Sequence, residues 1–333
     1  MFIELRGYEV KYDKSRALTI LRLMSAIPKI LIRIKREKAW LGHFAAREGL
    51  DLVISDNRYG LTLAGTPCIF ITHQLLIKTP FGSWADGLLQ LLNYRSIRRF
   101  SRCWVPDMAA GGLAGDLSHP ERMPSIPTRY IGWLSRFGGP ASGGPDIASA
   151  PLLVALLSGP EPQRTLLEKD ILRQARAMAD KVDACRLVIV RGLPGSSEPA
   201  SGAQPASDPA IPWLTIHNHL PVKALEPLLH AASMVLARPG YSTVMDLERL
   251  GKRALFIPTP GQTEQEYLGP YLAAKGWAEC VGQRAFSLAH ALEMAATATG
   301  NRERQPEDPG LLAAEIKAVL DTLEITDVRS ARP

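Results

Sequence analysis

A chain of 333 residues has room for two α/β domains, each with a core of its own. Its 46% hydrophobic and 22% charged residues exclude a disordered or fibrous protein. No apolar run reaches the ~18–20 residues that cross a bilayer, and four scattered cysteines form no C-x-x-C pair, so neither a disulfide framework nor a zinc site is signalled.

The first ten residues, MFIELRGYEV, hold no basic segment followed by an apolar core, so no signal peptide is visible and a cytoplasmic setting is expected. The formal charge of +6 is uneven: residues 1–130 carry 19 Lys and Arg against 11 Asp and Glu, and the remainder 20 against 22. Anionic lipid headgroups, a phosphorylated acceptor or a plain solubilising surface would each explain the basic excess. Residues 16–38 hold seven basic residues and one acid among Leu, Ile and Met. Such a helix either lies on an anionic membrane or packs on a sheet with its charges outward. Pro28 is expected to kink or divide it.

Short apolar runs follow at 51–55 (DLVIS), 68–72 (CIFIT) and 102–105 (RCWV), each leading to a polar residue. They are expected to be buried parallel strands that deliver functional groups at their C-terminal ends. A domain of this kind opens with a strand, a glycine-rich turn and a helix. The first 40 residues contain no such turn, so the N-terminal domain is expected to lack its first βα unit. Residues 137–151, rich in Gly, Pro, Ser and Ala, read as a linker.

A regular second series follows. Strands are expected at 152–157, 187–190, 213–216, 234–237, 254–257 and 279–281, and helices near 161–180, 222–232, 241–250, 264–275, 286–297 and 310–324. That is a complete doubly wound domain. Residues 194–212 read as a loop without a core. The domain plan is therefore 1–136, a linker 137–151, 152–325, and a tail 326–333.

Three motifs carry chemistry. In MVLARPGYSTVMD, an apolar strand ends at Arg238, Pro239 and Gly240, and a helix starts near Tyr241. Gly240 permits close approach of a ligand, Ser242 and Thr243 offer hydroxyls or a cap, and the helix start favours a diphosphate. Asp246, one turn further, can accept from ribose hydroxyls. In ALFIPTPGQTEQEY, the cluster Gln262, Thr263, Glu264, Gln265 can bond sugar hydroxyls, or Thr263 and Glu266 can form a capping box. In LVALLSGPEPQR, Ser158 and Gly159 close a strand, and Arg191 stands at an equivalent edge.

Together these residues resemble the donor domain of family 28 glycosyltransferases over roughly 150–300. The family includes a peptidoglycan branch that transfers GlcNAc from UDP-GlcNAc to a lipid-linked muramyl-pentapeptide. The resemblance implies the two-domain GT-B fold of two Rossmann-like doubly wound α/β domains. It places the ribose contact on Asp246 and the sugar contacts on Gln262 and Gln265. The peptidoglycan branch usually has Glu where this chain has the shorter Asp246. The N-terminal part is similar to the same fold's acceptor side. Asp56, Asn57, Arg58, His73, Gln74 and Lys78 follow strand ends and are expected to line the cleft, with His73 or Asp56 as catalytic base.

The expected reaction is an inverting, metal-independent transfer of a hexosyl or N-acetylhexosaminyl group from a UDP-sugar to an acceptor hydroxyl. The acceptor is expected to be lipid- or envelope-linked, with an anionic membrane surface as a further partner on the inner face of the membrane. No cofactor, metal or nucleic acid is expected; the UDP-sugar is the co-substrate. Two rival readings stay open: a UDP-sugar epimerase of the same fold, and a truncated nucleotide-sugar-binding protein without turnover.

Overall fold

The computed structural model describes residues 3, 5, 16–139, 150–180, 182, 185–193, 210–298, 300–304 and 310–330, with backbone alone for 16–27 and 324–330. Most of the expected linker and of the loop 194–212 lies outside these residues. The chain forms two compact units. One comprises Met1–Val10, Leu23–Trp133 and Pro306–Pro333, the other Lys11–Arg22 and Leu134–Gln305.

The first unit is built on four parallel strands in the order β1-β2-β3-β4. These are Val53–Asp56, Cys68–Ile71, Arg102–Val105 and Thr128–Tyr130. Three were expected; β4 was not, because its Thr-Arg-Tyr is too short and polar to read as a strand. The expectation of fully buried strands holds for β2 and fails for β1. β1 alternates buried and exposed, with Ile54 49% exposed, because among the described residues it pairs on one side only. One face packs Val53, Phe70, Cys103 and Val105 against Leu41 of α1 (Arg16–Glu48), Ile97 of α2 (Ser83–Ile97) and Phe100.

Helix α1 runs unbroken through Pro28, correcting the expected division: a proline inside a helix removes one amide donor, and the turns on either side keep theirs. Asp107, just beyond β3, was not foreseen. Its carboxylate is wholly buried and accepts from the amides of Met108, Leu113 and Ala114, from Ser118 Oγ and from Trp133 Nε1. Five donors on one carboxylate fix the 107–119 turn.

The second unit is a six-stranded parallel sheet in the order β10-β9-β8-β5-β6-β7. Its strands are β5 Leu152–Leu156, β6 Arg186–Val190, β7 Leu214–His217, β8 Met234–Ala237, β9 Ala254–Phe256 and β10 Glu279–Cys280. Helices α3 Gln163–Ala177, α4 Val222–Ala231, α5 Tyr241–Leu250, α6 Thr263–Ala274 and α7 Leu288–Thr297 connect them. Every strand and helix expected here forms within a few residues. The central strands β5 and β8 are almost wholly apolar and buried, as a sheet covered on both faces requires.

Helix α8, Leu311–Ser330, belongs to the first unit, which corrects its assignment to the C-terminal domain and the reading of 326–333 as a tail. Glu315 lies 3.9 Å from Arg102 and 3.7 Å from Arg129, at β3 and β4. Val319 is buried.

Candidate functional site

A doubly wound sheet opens a crevice outside the carboxyl ends of its strands where the strand order reverses. In the second unit the reversal lies between β5 and β8. Both strands run in register to this edge, with Leu156 opposite Ala237. β5 continues into exposed Ser158 and Gly159, the latter at φ +103. β8 continues into Arg238, Pro239 and Gly240, and α5 begins at Tyr241, itself buried.

Gly240 is the N-cap of α5, in extended conformation, and no side chain caps the helix. The expectation that Ser242 or Thr243 caps it is corrected: both already lie inside the first turn, Ser242 exposed and Thr243 half-buried. Both residues thus stand in the first turn, at the positive end of the helix dipole, where anions are favoured.

The second motif reaches the same place. A Cβ on Gly240 would lie 4.0 Å from Gln265 Nε2, so Gln265 sits directly beside that glycine. Gln265 is buried, and its Oε1 accepts from the Thr259 amide at 2.9 Å. Its amide nitrogen therefore points towards the helix start. Gln262 is the N-cap of α6, and its buried Oε1 has no hydrogen-bond partner. Glu264 is half-buried. The expected capping box is shifted: Thr263 is the first helical residue, and Glu266 Oε1 accepts from the amide of Gly261, whose φ of +84 lets the helix start earlier.

Two expected contacts turn out to be braces. Arg238 is 1% exposed and donates to the carbonyls of Ile257, Pro258 and Gln163 and to Gln283 Oε1. Burial pulls its guanidinium down to about 10. It ties β8, β9 and the start of α3 together. Arg191 donates to Glu168 at 2.7 Å and to Asn218 Oδ1 at 2.9 Å. Glu168 also accepts from Arg164, which in turn reaches Glu161. Glu168 and Asn218 were missed, since a Glu on a helix four residues after an Arg reads as a solvated face.

Asp246 is also engaged. Its Oδ1 accepts from Ser135 Oγ at 2.8 Å and the Arg136 amide at 3.3 Å, and its Oδ2 from Arg136 Nε at 3.0 Å. Burial raises its carboxyl above the usual range, and the bonds from Ser135 and Arg136 oppose the rise. A carboxylate has about four acceptor sites, so these three leave one for a hydroxyl.

In the first unit, Asp56 and Asn57 stand exposed at the end of β1, and His73 and Gln74 half-buried just past the end of β2. Register brings these ends together, with Asp56 opposite Ile71. Asn57 adopts φ +55, and its Oδ1 accepts from Thr72 Oγ1 at 3.2 Å. Thr72 Oγ1 accepts from the Gln74 amide. Lys78 is paired with Asp116 at 3.0 Å. Arg58 is corrected: it donates to buried Glu37 at 2.7 Å. Helix α1 comes so close that a Cβ on Gly60 would lie 2.5 Å from its Ile34 carbonyl, and Arg58 is drawn to the helix.

Residues 214–311 match the glycosyltransferase family 28 C-terminal domain. The matched segment contains the α5 start, Asp246 and the glutamine cluster. The glycosyltransferase of kitacinnamycin shares the fold at a TM-score of 0.57 and 14% identity, over 96% of this chain and 81% of that one. MurG of Acinetobacter baumannii does so at 0.51 and 15%, over 89% and 79%. The calicheamicin glycosyltransferase CalG4 does so at 0.51 and 14%, over 94% and 82%. The fold is that of the GT-B glycosyltransferases, and the family 28 likeness is confined to residues 214–311 of the second unit. No curated protein matches the chain. No helix among the described residues is long and apolar enough to cross a membrane.

Proposed function

We propose that the chain transfers a hexosyl or N-acetylhexosaminyl group from a UDP-sugar to the hydroxyl of a lipid- or envelope-linked acceptor, on the cytoplasmic face of a membrane. The observation that carries this is the uncapped start of α5 at the switch point of the sheet, inside the segment matched by the family 28 domain. A helix start that carries hydroxyl residues at the positive end of its dipole holds a diphosphate and stabilises it as it departs. Because that end already supplies positive potential, the leaving group needs no metal. The acceptor oxygen forms a bond to the anomeric carbon from the face opposite the diphosphate. The bond to the diphosphate breaks with its electron pair going to UDP, and configuration inverts. The acceptor proton passes to a base, for which His73 and Asp56 are the candidates.

The test is release of free UDP from a panel of UDP-sugars by the full chain, with membrane extract as the acceptor source and product analysis with and without it. Acceptor-dependent release with a new glycolipid is expected. Interconversion of the sugar without acceptor would identify an epimerase. Absence of UDP binding by calorimetry at millimolar concentration would overturn the donor reading.

A further inference from the structure

The second unit has a cavity at the edge opposite its crevice. The crevice lies at the carboxyl ends of β5 and β8. The cavity, of about 290 Å³, opens where β8, β9 and β10 begin, at Met234, Ala254 and Glu279. That volume stands at the small end of ligand sites.

Much of the lining is apolar. Met234 and Ala254 are buried, and Ala273 of α6, Met294 of α7 and half-buried Trp277 join them. The Trp277 amide donates to the Leu272 carbonyl at 3.0 Å, and the Arg302 guanidinium lies over its ring at 5.3 Å. Arg302 is itself neutralised by an ion pair with Glu248.

Two further charges in the lining are not compensated. Arg253 and Glu279 are exposed, and neither has an ion pair or a side-chain hydrogen bond among the described residues. They share a face of the sheet. The Arg253 carbonyl accepts from the Val235 amide, which extends the β9 ladder by one residue, and Glu279 stands opposite Leu255, two residues after Arg253. Alternation puts Arg253, Leu255 and Glu279 on one side, the side where Leu255 shares a core with Leu288 and Leu292 of α7. At ~4.8 Å between strands and ~3.3 Å per residue, the two Cα atoms lie about 8 Å apart. Helix polarity adds to the pattern. α6 ends at Ala274 and α7 at Thr297, so the negative ends of both dipoles meet the cavity, where an ammonium is favoured.

We propose that this cavity binds a free α-amino acid with an apolar side chain. Its carboxylate meets Arg253, its ammonium meets Glu279 and the ends of α6 and α7, and its side chain packs on Trp277, Met234 and Met294. A simple carboxylate would set its charge against Glu279 and the helix ends, and a simple amine would leave Arg253 unmatched. A ligand with both charges on one carbon matches all of them. The site goes beyond sugar transfer and lies across the sheet from the donor crevice, so the two readings fail separately.

The full chain is titrated by calorimetry with L-phenylalanine, L-leucine, N-acetyl-L-phenylalanine and phenethylamine, with and without UDP. Both amino acids are expected to bind, without competition from UDP. The acetylated acid, which lacks the ammonium, and phenethylamine, which lacks the carboxylate, should bind at least ~tenfold more weakly. Arg253→Gln should weaken L-phenylalanine roughly tenfold and Glu279→Gln roughly fivefold. Both side chains are exposed and unpaired, so Tm should stay unchanged. Trp277→Phe should keep binding and remove the ligand-induced change in Trp emission. Absence of binding by either amino acid at millimolar concentration would overturn the proposal. So would equal affinity for one of the analogues, undiminished binding by the Arg253 and Glu279 variants, or displacement by UDP.

Discussion

Asp246→Ala separates two jobs of one carboxylate, a tie that the structure shows and a ribose contact that is proposed for it. The first is mechanical. Asp246 accepts from Ser135 Oγ, the Arg136 amide and Arg136 Nε, and so holds the 135–136 segment on α5. Loss of the first two bonds costs about 1 kcal/mol each, less what water returns to the partners. The Arg136 side chain is 53% exposed, so its ion pair is screened and adds under ~1 kcal/mol. Removing a desolvated carboxylate recovers part of this. The net loss is about 1–2 kcal/mol, or roughly 3–6 °C in Tm for a unit of this size. The second job is the remaining acceptor site. A charge-assisted bond to a ribose hydroxyl contributes roughly 1.5–3 kcal/mol, or about 10–100-fold in Kd. Ser135→Ala is the control, expected to lower Tm and leave UDP affinity nearly intact. Thermal unfolding and calorimetry with UDP read both quantities. A lower Tm with unchanged UDP affinity in Asp246→Ala would refute the ribose contact and leave the residue a tie for 135–136.

Gly240→Ala should leave stability almost unchanged, because its φ of −73 suits alanine and the new Cβ meets only Gln265 Nε2 at 4.0 Å; UDP binding should fall roughly tenfold as the methyl blocks the diphosphate. Calorimetry showing full affinity would move the phosphates elsewhere. Asp107→Asn sets an amide among five donors and should cost about 2–4 kcal/mol in denaturant unfolding, with a loss under ~0.5 kcal/mol counting against the hub. Lys252, buried and bonded to the carbonyls of His230 and Ala232 and to Asn301, has its ammonium pulled down by burial to about 8 from 10.5. Between those values the unfolded chain keeps a proton that the folded one releases, so stability should rise with pH across the window, relative to Lys252→Met. Parallel pH profiles for the two proteins would show that the lysine stays charged.

The second unit was legible because its strands are continuous apolar runs and its helices begin after Pro, Gly or polar turns. Ser158, Gly240, Ser242 and Gln262 were found because each follows the end of such an apolar run; the strand order that places the switch point was not readable from the series. What stayed hidden depends on contacts distant in sequence. Nothing around Arg238 tells a buried brace from a ligand contact; its four acceptors come from three other segments. Arg58 reads as a strand-end ligand until Glu37 arrives from α1. The three residues of β4 become a strand only because β3 offers an edge. The exposure of Leu88, Leu91 and Leu92 is invisible in SWADGLLQLLNYRSI, where leucines would be assigned inward, until Asn93 on the buried face of α2 is seen donating to the carbonyls of Gln74 and Leu75.

The return of α8 to the first unit has a consequence for synthesis. That unit is written at both ends of the chain, with Leu134–Gln305, which holds every strand of the second unit, between its halves. At ~5–20 residues per second, the ribosome needs about 10–40 s after β4 before α8 can dock. Throughout that time the surface awaiting Val319 and Glu315 stays uncovered, while the second unit has its last strand, β10, well before α8 is made. The second unit should therefore fold first and serve as a tether. A nascent chain with residue 305 clear of the ribosome should hold a finished second unit and still recruit chaperones to the other.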